Sequence, residues 1–243
     1  MLVKPIDLAR LWSVSPTGVL HVGAHKGEEK ALYTQAGWDP IIWIEAQPEL
    51  ANDLEKRFAA EGDKVICATI WNESGKQLTL NISSNSGSSS LLEFGSHTAS
   101  YPEITFTNSI EVKTSRLDSI LTESDIPNFM NLDIQGVELQ ALESLGYLLR
   151  RLNYIYVEIN TRDVYKDCTK LSDLDEFLAQ EGFKRILTRR YLRHGWGEAL
   201  YVRNNQYVRS PSKFLPKLMH AMKFYSHQVR NAAKLVLKRS QNV

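Results

Sequence analysis

The stretch GVLHVGAHKGEEKALYTQAGWDPIIWIE, residues 18–45, decides how the rest of the chain is read. It opens with GVLHVG (18–23), short and continuously apolar enough for a strand covered on both faces. GEEKALYTQAG (27–37) follows as a helix closed by Gly37, and IIWIEA (41–46) is a second strand. Strand, helix, strand in close succession is the unit of a parallel sheet with helices on its faces. Between the first strand and the helix lies Gly23-Ala24-His25-Lys26-Gly27. Glycine lets the backbone turn tightly and approach a ligand, and the helix start offers free N–H groups. The spacing is GxxxG and not GxGxxG, so a pyrophosphate dinucleotide is disfavoured. Glu45 ends the second strand, where an acid can accept both ribose hydroxyls of a nucleoside. The alternatives are a plain turn and a solvated acid.

Outward from this unit the alternation continues. Residues 4–14 read as a short helix, 48–62 as a helix with Pro48 first and Gly62 last, and 65–71 as a third strand. QLTLNIS (77–83) and IEVKTS (110–115) read as strands, with a polar serine loop after the former and a helical turn at 116–124. FMNLDI (129–134) is a strand, 136–151 a helix, YIYVEIN (154–160) a strand and 172–182 a helix. FKRILTRR (183–190) and EALYVRN (198–204) are strands joined only through the short polar link HGW, so they should be antiparallel neighbours. The expected fold class is α/β, a doubly wound, mostly parallel sheet with an antiparallel last strand and a helical C-terminal extension.

The 243 residues are 43% apolar and carry a net charge of +1. That total hides an asymmetry: nine of the 29 basic residues, and none of the 28 acidic ones, follow Glu198. The remainder carries a net −8. Two expected domains follow: 1–204, the α/β body, and 205–243, a basic amphipathic helical tail. Cys67 and Cys168 lie far apart without a CxxC pair, which argues against a disulfide framework and a structural zinc site. No secretory signal and no long apolar run are present, so the default location is cytoplasmic, with peripheral membrane association as an option through the tail.

LHVGAHKGEE (20–29), IEAQPEL (44–50), SGSSSL (86–91), NLDIQGVELQALESLG (131–146) and YVEIN (156–160) fall in order, and together they resemble the FkbM-type methyltransferases. The resemblance covers about residues 17–203, and DVYKDC (163–168) is similar to one branch of that family. It implies a class I, Rossmann-like methyltransferase fold and S-adenosylmethionine as cofactor; a divalent metal is not indicated. It also implies that Gly23, Ala24, His25 and Gly27 surround the methionine part of the cofactor and Glu45 holds the ribose. Trp71 and Asn72 would lie near the adenine, with Asp133 facing the active site. Two positions depart from the family: His21 stands where an acid is usual, and Gln135 where glutamate is common.

Methyl transfer is an in-line displacement, so alignment is the enzyme's main task. A hydroxyl acceptor also needs a base, which is worth roughly 10²–10⁴ in rate. Asp133, Glu158, His97 and His194 are the candidates; His25 is a further loop histidine. Ser88, Ser89 and Ser90 are candidates to bind acceptor hydroxyls, and Trp196 to pack on a sugar ring. The expected function is O-methylation of a hydroxyl, of a sugar in a polysaccharide, glycolipid or glycosylated metabolite. The alternatives are a small-metabolite, protein or RNA acceptor, or a non-catalytic module acting through the basic tail. In that tail Leu215, Leu218, Met222, Tyr225, Val229, Ala232 and Val236 form one apolar stripe flanked by Lys223, His227, Arg230, Lys234 and Lys238. Three readings compete: packing on the body or a second subunit in a homo-oligomer, an anionic membrane surface, and an acidic glycan or nucleic acid. Few aromatics interleave, so nucleic acid is the weakest.

Overall fold

The computed structural model describes residues 1–191, 193–206 and 214–240, with side chains in the last segment described for 216–229. Its strands are β1 (Val19–Val22), β2 (Ile41–Glu45), β3 (Lys64–Cys67), β4 (Thr69–Ile70), β5 (Gln77–Ser83), β6 (Phe106–Ser115), β7 (Phe129–Leu132), β8 (Tyr154–Asn160), β9 (Phe183–Arg190) and β10 (Trp196–Arg203). Its helices are α1 (Pro5–Trp12), α2 (Lys30–Ala36), α3 (Pro48–Phe58), α4 (His97–Ser100), α5 (Leu117–Ile120), α6 (Glu138–Ser144), α7 (Leu171–Gln180) and α8 (Phe214–Ser240). Seven strands form one sheet in the order β3-β2-β1-β7-β8-β10-β9. All its pairings are parallel except those of β10, which runs antiparallel to both β8 and β9. This is the doubly wound sheet with an antiparallel last strand expected from the sequence.

Every residue of β1 is buried, because helices cover both faces. Leu20 and Val22 face a cluster with Leu142, Leu145 and Leu174 from α6, its extension and α7. Val19 faces the other cluster, with Leu8, Trp12, Tyr33 and Leu54 from α1, α2 and α3. The chain winds outward from β1 through β2 to β3, then returns to β7 on the opposite side of β1. The crevice at the carboxyl ends of β1 and β7 is therefore the switch point, where ligands bind in open α/β sheets.

Two expectations change. The strand read at 65–71 is split into β3 and β4, and the strands read at 77–83 and 110–115 stand outside the main sheet. They form a separate three-stranded sheet, order β4-β6-β5. The physical reason is their pattern: β5 and β6 alternate exposed and covered residues, which suits a sheet with one wet face and not a central strand.

The tail is helical, as read, but it does not pack through its apolar stripe. The rings of His220 and Trp12 meet edge-on at 5.7 Å, Arg189 Nη2 lies 3.2 Å from His220 Nδ1, and Gln228 Nε2 donates to the Arg190 carbonyl at 2.8 Å. Leu218, Met222 and Val229 stay 44%, 63% and 67% exposed on the other side. The side chains of Leu215, Arg230, Ala232, Lys234, Val236 and Lys238 lie outside the described residues.

Candidate functional site

The turn after β1 is built by Gly23, Ala24 and His25. The Gly23 and Ala24 N–H groups both donate to the Ile44 carbonyl, at 2.9 and 3.0 Å, which ties the loop to β2. Gly23 has φ +85°, and a Cβ there would sit 1.7 Å from the Asp133 carbonyl oxygen. Only glycine allows the first loop and the end of β7 to meet this closely. The Glu45 carboxylate accepts from the His25 N–H at 2.7 Å and the Gln47 N–H at 2.8 Å. It is buried, and burial lifts its carboxyl above the usual range against those bonds. Two backbone donors leave part of its acceptor capacity free, facing the cavity.

Three connected hollows meet here, and all are lined by Gly87, His25 and Asp133. The first, walled by Ile44, Glu45, Ala68, Thr69 and Ile70 and crossed by Ser86–Leu91, is narrow at about 70 Å³. The second, about 220 Å³, is lined by Gly23, Ala24, Glu28, Glu29, Asn131 and Glu198. The third, about 420 Å³, is lined by Ser88, His97, Tyr101, Gln135, Glu158 and Trp196.

A carboxylate pair lies between them. Gln135 Nε2 donates to Asp133 Oδ1 at 2.5 Å and to Glu158 Oε2 at 2.6 Å. Tyr165 donates its hydroxyl to Gln135 Oε1 at 2.6 Å, which fixes the amide with its NH₂ toward the acids. Gln135 itself sits at φ +56°, and Ser90 Oγ donates to its carbonyl at 2.7 Å. Burial, and then the Asp133 charge, hold the Glu158 carboxyl well above the ordinary carboxylate range. Glu138 lies behind the pair: Oε1 accepts from the Gly136 N–H at 2.9 Å, and burial pushes its carboxyl up to about 7. Among the described residues no group of three or more His, Cys, Asp or Glu is placed to hold a metal ion.

The sequence candidates divide as follows. Gly23, His25, Glu45, Asp133, Ser89 and Ser90 line the first hollow, and Ala24 the second. Gly27 lies against Phe58 and Leu54 instead, packing the loop onto α3. Trp71 and Asn72 are outside the cavity walls: Lys76 Nζ lies 5.4 Å over the Trp71 ring, and Asn72 Nδ2 donates to Glu143 at 2.7 Å. Ala68, Thr69 and Ile70 take the wall positions, because the chain turns into the second sheet directly after them. Ser89 Oγ accepts from the Ser83 N–H at 3.1 Å and Ser90 Oγ from the Leu92 N–H at 3.0 Å, so both serve the backbone. Of the three serines only Ser88 lines the third hollow.

His97 lines that hollow, stacked on Phe94 at 4.3 Å, and burial lowers its pKa. His194 lies behind Tyr101, with ring centroids 5.0 Å apart, and does not line the hollow. Burial, and then Arg162 and Arg193, lower its pKa. Trp196 lines the hollow and donates Nε1–H to Tyr101 at 3.2 Å. His21 is buried between Asn131 Nδ2 at 3.1 Å and the Tyr33 hydroxyl at 3.4 Å, and burial lowers its pKa. Sequence reasoning missed Tyr101, Tyr165 and the bridging role of Gln135. Only tertiary packing brings them beside Asp133, although Tyr165 lies within the noted DVYKDC.

A family model described as the methyltransferase FkbM domain matches residues 21–185. A putative tRNA (m1A22) methyltransferase from Streptococcus pneumoniae is similar at 15% identity and TM-score 0.47, covering 99% of this chain and 89% of that one. A protein of the NADB-Rossmann superfamily from Streptococcus agalactiae is similar at 14% identity and TM-score 0.47, covering 100% and 88%. Magnesium protoporphyrin IX methyltransferase from Synechocystis PCC 6803 with bound SAM is similar at 10% identity and TM-score 0.42, covering 76% and 69%. No curated protein matches the chain.

Proposed function

The chain belongs to the FkbM methyltransferase domain family, and from that premise we propose that it is an O-methyltransferase acting on a sugar hydroxyl, in a polysaccharide, glycolipid or glycosylated metabolite. The enzyme is an S-adenosylmethionine-dependent methyltransferase, and its own residues fit that cofactor. Gly23 leaves open the space a Cβ would fill, Glu45 keeps acceptor capacity for ribose hydroxyls, and Ile44 and Ile70 give an apolar wall. Near His21 the adjoining hollow is acidic, with Glu28, Glu29 and Glu198 in its lining; Glu29 and Glu198 lie 2.9 and 3.7 Å from the Met1 amino group, so these acids already hold an ammonium group there. The cofactor supplies an electrophilic methyl carbon on a sulfonium, with an excellent leaving group.

The first hollow is narrow at about 70 Å³, and Ser86–Leu91 crosses it as one wall. His25 holds that segment shut, with Nε2 2.7 Å from Ser86 Oγ and Nδ1 2.9 Å from Glu28. The segment then orders the site and excludes water, which raises the worth of each charge inside.

Asp133 lines all three hollows, and this single observation carries the catalytic reading. It is the one carboxylate shared by the cofactor and acceptor spaces, so it takes the proton of the acceptor hydroxyl. Glu158 keeps its own proton and does not compete for that role. Gln135 fixes both carboxyls through one amide nitrogen, and Tyr165 fixes Gln135. The sugar assignment is supported by the third hollow, where Trp196 and Tyr101 supply ring surfaces beside acceptor groups from Ser88 and Glu158. The test is mass spectrometry of cell-surface glycans with and without the gene. The reading expects a 14-dalton unit (one CH₂) to disappear from a sugar in cells lacking it, and an unchanged glycan profile refutes the sugar acceptor.

A further inference from the structure

α8 carries two faces with different fates. One face, His220, Phe224 and Gln228, meets α1 and the β9–β10 hairpin. On the opposite side Leu218, Met222 and Val229 stand at helical spacing, 44%, 63% and 67% exposed, with the exposed Met219 beside them. Folding has left an apolar row of a helix in water, although the same helix had body surface available to it. Such a row marks an interaction surface.

Charge says what covers it. No acidic residue follows Glu198 in the sequence, and among the described residues of α8 the exposed Lys223 stands next to Met222 of the row. On the packed side of α8 the body contributes Lys4, Arg10 and Asp7 to a broad cleft that α8 lines with His220, Lys223 and His227. An apolar row flanked by cations on a helix that is polar elsewhere is the pattern of a helix lying in a bilayer interface. Its lysines reach the headgroups while the apolar side chains enter the acyl boundary. Among the described residues no helix is long and apolar enough to cross a membrane, so this helix would lie on the surface.

We infer that α8 is a peripheral anchor that docks the protein on an anionic lipid bilayer through Leu218, Met222 and Val229, with the flanking basic residues on the headgroups. The face of α8 that packs on the body, opposite the docked row, reaches toward the site. The Phe224 ring is 5.9 Å from Tyr191, and Tyr191 is 4.6 Å from Trp196 in the wall of the third hollow.

The experiment is co-sedimentation of the full chain with phosphatidylglycerol-rich vesicles and with phosphatidylcholine vesicles. The full chain binds the anionic vesicles selectively, and binding weakens as salt rises toward 1 M and the screening length falls to about 3 Å. The double substitution Met222→Glu with Val229→Glu lowers that binding by more than about tenfold. Lys223→Glu lowers it by roughly fivefold for each unit of charge changed. Because all three residues are exposed, circular dichroism and cofactor affinity stay as in the wild type. The inference is overturned by absence of binding to either vesicle, by equal binding to both, or by a double variant that binds like wild type. It is overturned as well if size-exclusion chromatography shows a wild-type dimer that the double variant converts to monomer, because the row is then a subunit interface.

Discussion

The sharpest test separates the two carboxyls by removing them one at a time. A single nitrogen of Gln135 lies 2.5 Å from an Asp133 oxygen and 2.6 Å from a Glu158 oxygen, so those oxygens are at most about 5 Å apart. Two full charges at that distance repel by about 3 kcal/mol at an effective dielectric of about 20. That is on the order of a hundredfold in favour of keeping one proton on the pair. Burial adds to the preference, and Glu158 is the group pushed up. Glu158→Gln therefore mimics the state already present near neutral pH and should leave kcat/KM within about fivefold of wild type. Asp133→Asn removes the base and should lower it by roughly 10²–10⁴. The assay is transfer of labelled methyl from S-adenosylmethionine to the acceptor between pH 5.5 and 9.5, with cofactor affinity measured in parallel. In wild type, rising pH finally strips Glu158 and places a second charge beside Asp133, so the alkaline limb changes; in Glu158→Gln that limb is absent. The reasoning fails if the two variants, both folded, are equally crippled, or if Asp133→Asn retains full turnover.

Three further outcomes can be checked separately. Glu138 moves from an ordinary carboxylate value to about 7 on folding, so its contribution to stability is complete below its unfolded pKa and is lost as pH rises through 7. Between pH 4 and pH 8 the stability of Glu138→Gln relative to wild type should rise by about 3 kcal/mol in denaturant melts, and a pH-independent difference contradicts the shift. Gly23→Ala places a Cβ 1.7 Å from the Asp133 carbonyl oxygen at φ +85°, and should cost about 2–4 kcal/mol and abolish cofactor binding; calorimetry showing normal affinity would count against the loop geometry. Ser90→Ala removes the donor to the Gln135 carbonyl and the acceptor for the Leu92 N–H at a buried position, and should cost about 1–3 kcal/mol. Its kcat should fall more than its cofactor affinity, through the misplaced amide; unchanged kcat with lowered stability would restrict Ser90 to a folding role.

Much of the architecture is legible along the chain because it rests on local signals. The apolar run at 18–23, the capping of α3 by Pro48 and the bare HGW link each report on neighbouring residues, and the sheet follows from their alternation. Gly23, Glu45 and Asp133 are legible for the same reason, since each ends or follows a strand and strand ends in this fold converge on one crevice. The strands at 77–83 and 110–115 are legible as strands but their sheet is not, because alternation says that one face is wet and cannot say which partner a strand joins.

The sequence by itself determined the α/β class, the antiparallel last strand, the glycine loop and the division of charge between body and tail, all of which depend on periodicity, composition and short spacings. Only the tertiary structure decided which side of α8 packs, that Trp71 and Asn72 leave the cavity to Ala68, Thr69 and Ile70, and that His194 stands behind Tyr101 while His97 lines the acceptor hollow. It alone placed the Gln135 amide between two acids and Tyr165 on the amide's other end. The reason is physical: hydrogen bonds among side chains far apart in the chain, and the protonation they impose, exist only once packing has fixed distances of a few ångströms that no local pattern encodes.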